Sequence, residues 1–179
     1  MSQRRLSCEA WVFPEPAAEP TAMRDLLDRV PLVRQALLVD GVPRAFIGRY
    51  TADSAVTIVE RGDGAPLLRF GSGASSQAIG VDISTGHVVR VSAARSSRLL
   101  FVNTSIGQFT QTVKALIERF PYYDADATGE ETDAVAAELL EIIEGIDPEA
   151  GVPDRFWSTL ADDAAIGDLT TENILGPED

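Results

Sequence analysis

The chain has 179 residues, a length typical of one domain that buries a core without disulfides or metals. Residues 1–120 carry 14 basic and 11 acidic residues, a net charge of +3, whereas residues 121–179 carry 1 and 17, a net charge of −16. This polyanionic last third argues against direct binding to nucleic acid or to an anionic membrane, because phosphate groups would be repelled.

The rest of the composition points to a reducing compartment. Cys8 is the only cysteine, so no disulfide forms within the chain. Arg4 and Arg5 are not followed by the apolar run of a signal peptide, and no run approaches the ~20 apolar residues of a membrane span. We therefore expect a cytoplasmic protein that is a monomer when free.

The first forty residues predict an extended segment and then a short helix. Residues 1–20 contain three closely spaced prolines, which favour an extended lead-in. Thr21 is placed to cap a short helix that ends or restarts at Pro31. The pattern of Leu32–Val39 fits a further helical turn or a strand, and Asp40–Pro43 predicts a turn.

The middle of the chain predicts strands that follow one another closely. Ser84–Gly86 predicts a three-residue hairpin turn with Gly86 in the left-handed conformation. Short connections of this kind favour an antiparallel meander over a parallel sheet. The β-type runs are Ala55–Val59, Leu67–Phe70, Ala78–Ile83, Val88–Val91 and Leu99–Val102.

The last part predicts helices. Apolar residues between Ile106 and Phe120 recur at helical spacing, and Ser105 with Gln108 forms a capping box, although Asn103 or Thr104 could cap instead. A second helix follows a capping box at Thr128 and Glu131 and is predicted to end at Gly145. A last helix starts at Pro153, packs either Phe156 or Trp157 squarely against the core and stops near Gly167.

These elements predict an α+β fold, an antiparallel meander sheet of about five or six strands flanked by N-terminal and C-terminal helices. Residues 1–20 form the extended lead-in, residues 21–170 a single domain, and residues 171–179 an acidic tail that frays.

The stretch that starts at Asp124 resembles two metal-dependent motifs. Residues 124–129 begin like a calcium-binding EF-hand loop, but the twelfth position is Val135 instead of glutamate. The same residues resemble the nucleophile motif of haloacid-dehalogenase phosphatases, yet they follow a predicted helix and not a buried strand. His87 is the only histidine, which excludes a Cys/His zinc cluster. We therefore predict no enzyme activity, no catalytic residue, no metal and no cofactor.

Three segments, in this order, resemble the SUKH superfamily and in particular its fourth subfamily, the bacterial immunity proteins. They are the Asp40–Pro43 turn, the hairpin from Ala78 through Gly86 to Val89, and the strand-to-helix segment Phe101–Ser105 followed by Phe109. The resemblance spans about residues 25–170. It implies the same fold and a non-enzymatic role, in which the protein binds and neutralises a nuclease or nucleic-acid deaminase toxin domain.

Charge alone suggests where such a partner binds. A toxin that acts on nucleic acid needs a basic surface, and a polyanionic segment could cover it. The predicted partner-binding residues are Asp124, Asp126, Glu130, Glu131, Asp133, Asp162 and Asp163. The alternative function is a regulatory or scaffolding SUKH-like protein without a toxin partner.

Overall fold

The fold is taken from a computed structural model that describes residues 11–16, 20–60, 65–74, 77–91 and 99–176. The predictions for Cys8, for residues 1–10 and 17–19 of the lead-in and for residues 177–179 of the tail lie outside these ranges.

The proline-rich start of the chain is extended and joins the sheets. Strand β1 (Trp11–Val12) pairs antiparallel with β3 (Val42–Pro43), and β2 (Glu15–Pro16) pairs parallel with the middle of β5 (Tyr50–Glu60). The prediction of a turn over Asp40–Pro43 is therefore wrong in its second half, because Val42 and Pro43 are recruited into a strand pair by distant residues.

The segment between β2 and β3 is helical. Helix α1 (Pro20–Arg29) is followed by α2 (Pro31–Gln35), which continues into a π-helical turn at Ala36–Asp40. Thr21 lies inside the first turn of α1 and so does not cap it, because Pro20 already occupies the first helical position. Of the two structures predicted for Leu32–Val39, a helical turn or a strand, the helical one is therefore correct.

The main sheet is mixed but mostly antiparallel, which confirms the predicted fold class. Besides β2 and β5 it contains β4 (Ala45–Phe46), β6 (Pro66–Ser72), β7 (Ala78–Asp82), β8 (Val88–Val91) and β9 (Leu99–Asn103). These seven described strands have the order β2-β5-β6-β7-β8-β9, with β4 also paired to β5. Gly86 has a φ of 78°, as predicted for the β7–β8 turn, and the Asp82 carboxylate accepts a hydrogen bond from the backbone N–H of Ser84 (2.9 Å).

Four helices follow the sheet: α3 (Ile106–Arg119), α4 (Gly129–Ile146), α5 (Ser158–Ala165) and α6 (Thr171–Leu175). The capping box predicted at Thr128 and Glu131 is confirmed, and Ser105 caps α3 as predicted. The box predicted for Ser105 and Gln108 is only half formed, because the Gln108 side chain bonds to the Ser105 hydroxyl and to the carbonyl oxygen of Ile146. Three boundaries were wrong. Helix α4 continues past Gly145, the last predicted helix starts five residues after Pro153, and the predicted frayed tail begins with α6, which Thr170 caps.

The core lies between the sheet and helices α3, α4 and α5. Tyr50 and Phe70 on the sheet pack against Phe109 on α3, with ring centroids 5.0–6.1 Å apart. Phe156 and Trp157 are both buried and meet edge to face at 4.8 Å. The prediction that only one of them faces the core is wrong, because they lie in a turn before α5 and not within a regular helix.

A buried polar cluster holds the end of β9 against the end of α4. The Asp147 carboxylate accepts hydrogen bonds from Asn103 Nδ2 (3.0 Å) and from the backbone N–H (2.7 Å) and hydroxyl (2.8 Å) of Thr104. Asn103 Oδ1 in turn accepts a hydrogen bond from Trp157 Nε1 (3.0 Å). Asp147 and Asn103 are almost fully buried, so these bonds provide the partners that a buried carboxylate and amide require.

Candidate functional site

The predicted partner-binding residues begin in the loop between α3 and α4. Asp124 and Asp126 are exposed there, and a turn closed by the Ala127 N–H and the Asp124 carbonyl oxygen (3.2 Å) holds them. The preceding Tyr123 is buried and places its hydroxyl between the carbonyl oxygen of Ala164 (2.8 Å) and the N–H of Leu169 (2.9 Å). The loop is therefore fixed to the segment that follows α5.

Glu131 has a structural role at the start of α4. Its carboxylate accepts hydrogen bonds from the backbone N–H (2.7 Å) and hydroxyl (2.9 Å) of Thr128, and the Glu131 N–H donates to the Thr128 hydroxyl (3.4 Å). The bond from the Thr128 backbone N–H lowers the pKa of Glu131. Glu130, Glu131 and Asp133 are all exposed in this turn, but among them only the Glu131 carboxylate accepts hydrogen bonds within the described structure.

The outward side of α4 carries further exposed carboxylates towards the end of the helix. Glu141 and Glu144 are exposed at helical spacing from Glu130 and Asp133, and the exposed residues between them include Ala134 and Ala137. The sequence reasoning missed Glu141 and Glu144, although their spacing marks them as residues of the same face.

Glu138 differs from its acidic neighbours. Its carboxylate accepts two hydrogen bonds from the Arg119 guanidinium on α3, from Nε (2.7 Å) and from Nη2 (2.8 Å). These bonds lower the pKa of Glu138, and Arg119 also donates to the carbonyl oxygen of Pro121 (2.8 Å). The pair fixes α4 against α3 without using the outward face.

The second predicted group lies on α5. Asp163 forms an ion pair with Arg49, which also donates to the hydroxyl (2.7 Å) and carbonyl oxygen (2.9 Å) of Thr159. The pKa of Arg49 is lowered, mainly because the guanidinium group is buried. Asp162 is exposed beside this pair, so the two neighbouring aspartates face different surroundings.

A hydrogen bond connects α4, which carries the first group of predicted residues, to α5, which carries the second group. The Thr132 hydroxyl near the start of α4 donates to the carbonyl oxygens of Gly129 and of Ala165 at the end of α5, both at 3.0 Å. We give the name acidic face to the exposed residues of this region whose carboxylates share no hydrogen bond or ion pair with a side chain or cap in the described structure. It consists of Asp124, Asp126, Glu130, Asp133, Glu141, Glu144 and Asp162.

A cavity of about 480 Å³ opens beside the start of α4. Its walls include Tyr122 and Tyr123 together with the carboxylate-bearing residues Asp124, Asp126 and Glu131. Burial raises the pKa of Tyr122, whose hydroxyl donates to the carbonyl oxygen of Leu116 (2.9 Å). The structure therefore brings three of the predicted residues together around one concave surface.

Neither metal-dependent motif gains support from its surroundings. Nowhere in the described ranges do three His, Cys, Asp or Glu side chains group closely enough to hold a metal ion. Asp124 follows helix α3 and a single parallel bridge from Tyr123 to Thr170, whereas the phosphatase motif requires a buried strand. His87 packs edge to face on Phe101 at 5.3 Å.

The fold is that of a small α+β protein with exposed carboxylates on the α3–α4 loop, on the outward side of α4 and on α5. The chain belongs to the SUKH-4 immunity protein family, whose model matches residues 9–163. Membership supports an immunity function with a protein toxin as partner, and immunity proteins of this kind are generally not enzymes. No match was found among curated proteins or solved structures. No helix in the described part of the chain is long and apolar enough to span a membrane.

Proposed function

We propose that this protein neutralises a toxin domain of the nuclease or nucleic-acid deaminase type by covering its basic substrate surface. The single observation that carries the proposal is the concentration of exposed, unshared carboxylates on the acidic face, in a family of immunity proteins. The toxin must bind phosphate groups, so its substrate surface is basic and attracts this face.

The seven residues predicted from charge divide into two roles in this proposal. Asp124, Asp126, Glu130, Asp133 and Asp162 contact the toxin, since the hydrogen bonds between side chains in the described ranges leave their carboxylates unshared. Glu131 and Asp163 shape the surface instead, through the α4 cap and through the ion pair with Arg49.

Because an exposed ion pair contributes only about 0.2–1 kcal/mol, binding through this face depends on the number of pairs formed. Neutralising four carboxylates should therefore weaken binding by about 1–4 kcal/mol, or roughly 5-fold to 800-fold. The loss should be greatest at low ionic strength, where screening is least.

The test uses the toxin domain encoded next to the gene for this protein. Its affinity is measured by calorimetry between low and moderate salt, for the wild type and for the variant Asp124→Asn/Asp126→Asn/Glu130→Gln/Asp133→Asn. A control variant removes the same number of charges elsewhere and so matches the change in net charge. It carries Glu15→Gln, Asp25→Asn, Glu60→Gln and Glu118→Gln, all at exposed positions outside the acidic face.

The first variant should bind more weakly, with a flatter salt dependence, and should fail to protect cells that produce the toxin. The control variant should behave like the wild type. Equal affinities for both variants would refute the role of the acidic face. The absence of any binding to the toxin would favour the regulatory or scaffolding alternative.

A further inference from the structure

A second cavity, of about 530 Å³, lies between the β4–β5 turn and the segment after α5. We call it the C-terminal groove. Its volume lies within the range of about 300–1,000 Å³ that is typical of ligand pockets. The residues of the groove that matter here are Ile47, Arg49, Asp163, Asp168, Leu169 and Ile174.

Ile47 occupies a backbone conformation that an isoleucine rarely adopts. It has a φ of 29° and the next residue, Gly48, a φ of 71°, in a turn closed by the Arg49 N–H and the Phe46 carbonyl oxygen (2.8 Å). Turns with positive φ at both central positions favour Asn, Asp or Gly, and a β-branched residue there is strained. The turn alone therefore does not account for isoleucine at this position. Its side chain packs partly against the hydrophobic core and partly lines the groove, and strain of this kind clusters at binding sites.

The groove combines an aliphatic lining with an acidic rim. Ile47, Leu169 and Ile174 contribute aliphatic side chains. Since Arg49 is already paired with Asp163, the exposed Asp168 leaves the rim with a net negative charge. Ile166 lies in the chain between the two aspartates and is 72% exposed.

Such a surface matches a partner segment with an aliphatic side chain next to an arginine or lysine. We propose that the C-terminal groove is a docking site for a basic segment of the toxin domain, in which the aliphatic side chain enters the groove and the cation contacts Asp168. The segment that lines the groove is hydrogen-bonded to the elements that carry the acidic face, since the Leu169 N–H donates to the Tyr123 hydroxyl and the Thr132 hydroxyl donates to the Ala165 carbonyl oxygen. This inference rests on the proposed function, because it assumes a basic protein partner.

The first experiment needs no toxin. ¹⁵N-labelled protein is titrated with N-acetyl-leucyl-arginine amide and, in parallel, with the uncharged N-acetyl-leucyl-citrulline amide. The arginine probe should shift the amide resonances of Asp168, Leu169, Asn173 and Ile174, at concentrations at least fivefold lower than the citrulline probe. Equal effects of both probes, or the absence of shifts at these amides, would overturn the proposal.

The second experiment uses the variant Ile47→Asn to distinguish an effect on binding in the groove from an effect on the stability of the fold. Asparagine suits the positive φ but loses the packing of Ile47 against the core, so this variant should keep the Tm within about 2–4 °C of the wild type while it abolishes the probe shifts and weakens toxin binding at least tenfold. The control is Leu32→Asn, since Leu32 is 84% exposed on α2, outside the groove, and this change should leave probe and toxin binding unaltered.

An Ile47→Asn variant that binds probe and toxin like the wild type would refute the groove, and a decrease in Tm of more than about 4 °C would refute the strain argument. The proposed function would survive both results if the four-carboxylate variant still lost affinity. Conversely, probe shifts confined to the groove in a protein that binds no toxin would refute the proposed function, and with it the toxin as the occupant of the groove.

Discussion

The Asp147 cluster allows a direct test of what holds α4 in place. Removing the side chain in Asp147→Ala leaves the backbone N–H of Thr104 without its acceptor and leaves Asn103 Nδ2 with only a long contact to Thr112 (3.4 Å). A hydrogen bond to a charged group contributes about 1.5–3 kcal/mol, so the loss of these two bonds should cost about 3–6 kcal/mol. For a protein of this length, that corresponds to a decrease in Tm of about 6–24 °C.

The isosteric variant Asp147→Asn should be milder. Its single amide oxygen can still accept from Asn103 and Thr104, and the Thr104 hydroxyl can reverse its role and accept from the new amide group. What remains is the loss of charge assistance, about 1–2 kcal/mol. We therefore expect the free energy of unfolding to fall in the order wild type, Asp147→Asn, Asp147→Ala.

Urea denaturation followed by far-UV circular dichroism measures this order without relying on Trp157, which is itself bonded to Asn103. Asp133→Ala, on the exposed face of the same helix, serves as control and should change stability by no more than about 0.5 kcal/mol. An Asp147→Ala variant within about 1 kcal/mol of the wild type would show that the cluster does not stabilise the fold.

Three further changes follow from single contacts. Glu138→Gln should destabilise the protein by about 0.5–1 kcal/mol at pH 7, because half-exposed ion pairs with Arg119 are weak. The lowered pKa of Glu138 means that this stability is present above the ordinary value of 4.5 and is lost as the pH falls through the folded-state pKa. Urea titrations of both proteins should therefore converge in acid, and a difference that persists there would contradict the assignment. Tyr50→Phe should raise stability by about 1 kcal/mol in calorimetry, since the buried Tyr50 hydroxyl has no hydrogen-bond partner in the described structure; a loss would reveal a hidden partner. Gly80→Ala should cost about 1–3 kcal/mol, because its Cβ would lie 2.6 Å from the carbonyl oxygen of Leu68, and an unchanged Tm would disprove that close approach.

The sequence predicts best the elements with a local signal. Helices α3 and α4 are predictable because their apolar residues recur at helical spacing and because Ser105 and Thr128 are recognisable N-cap residues. The β7–β8 hairpin was found for a similar reason, since Gly86 marks the left-handed position. Such patterns depend on neighbouring residues only, so they can be read without the fold.

The features that depend on distant residues were not foreseen. Asn103 and Asp147 are 44 residues apart, and Arg49 lies 114 residues before Asp163. The charge pattern alone therefore predicts that Asp163 is available to a partner, whereas the folded chain pairs its carboxylate with Arg49. The same limit explains why β1 and β3 were not predicted to pair, since no local pattern marks a two-residue strand.

Helix α4 is fastened at both of its ends and along one flank, by the Thr128 cap, by the cluster around Asp147 and by the pair with Arg119. None of these attachments uses a side chain from the outward side. Under the proposed function, substitutions there change which toxin is recognised while the stability of the fold stays above its threshold. On that proposal, a lineage that meets new toxins exchanges specificity one surface residue at a time, through intermediates that keep these three attachments.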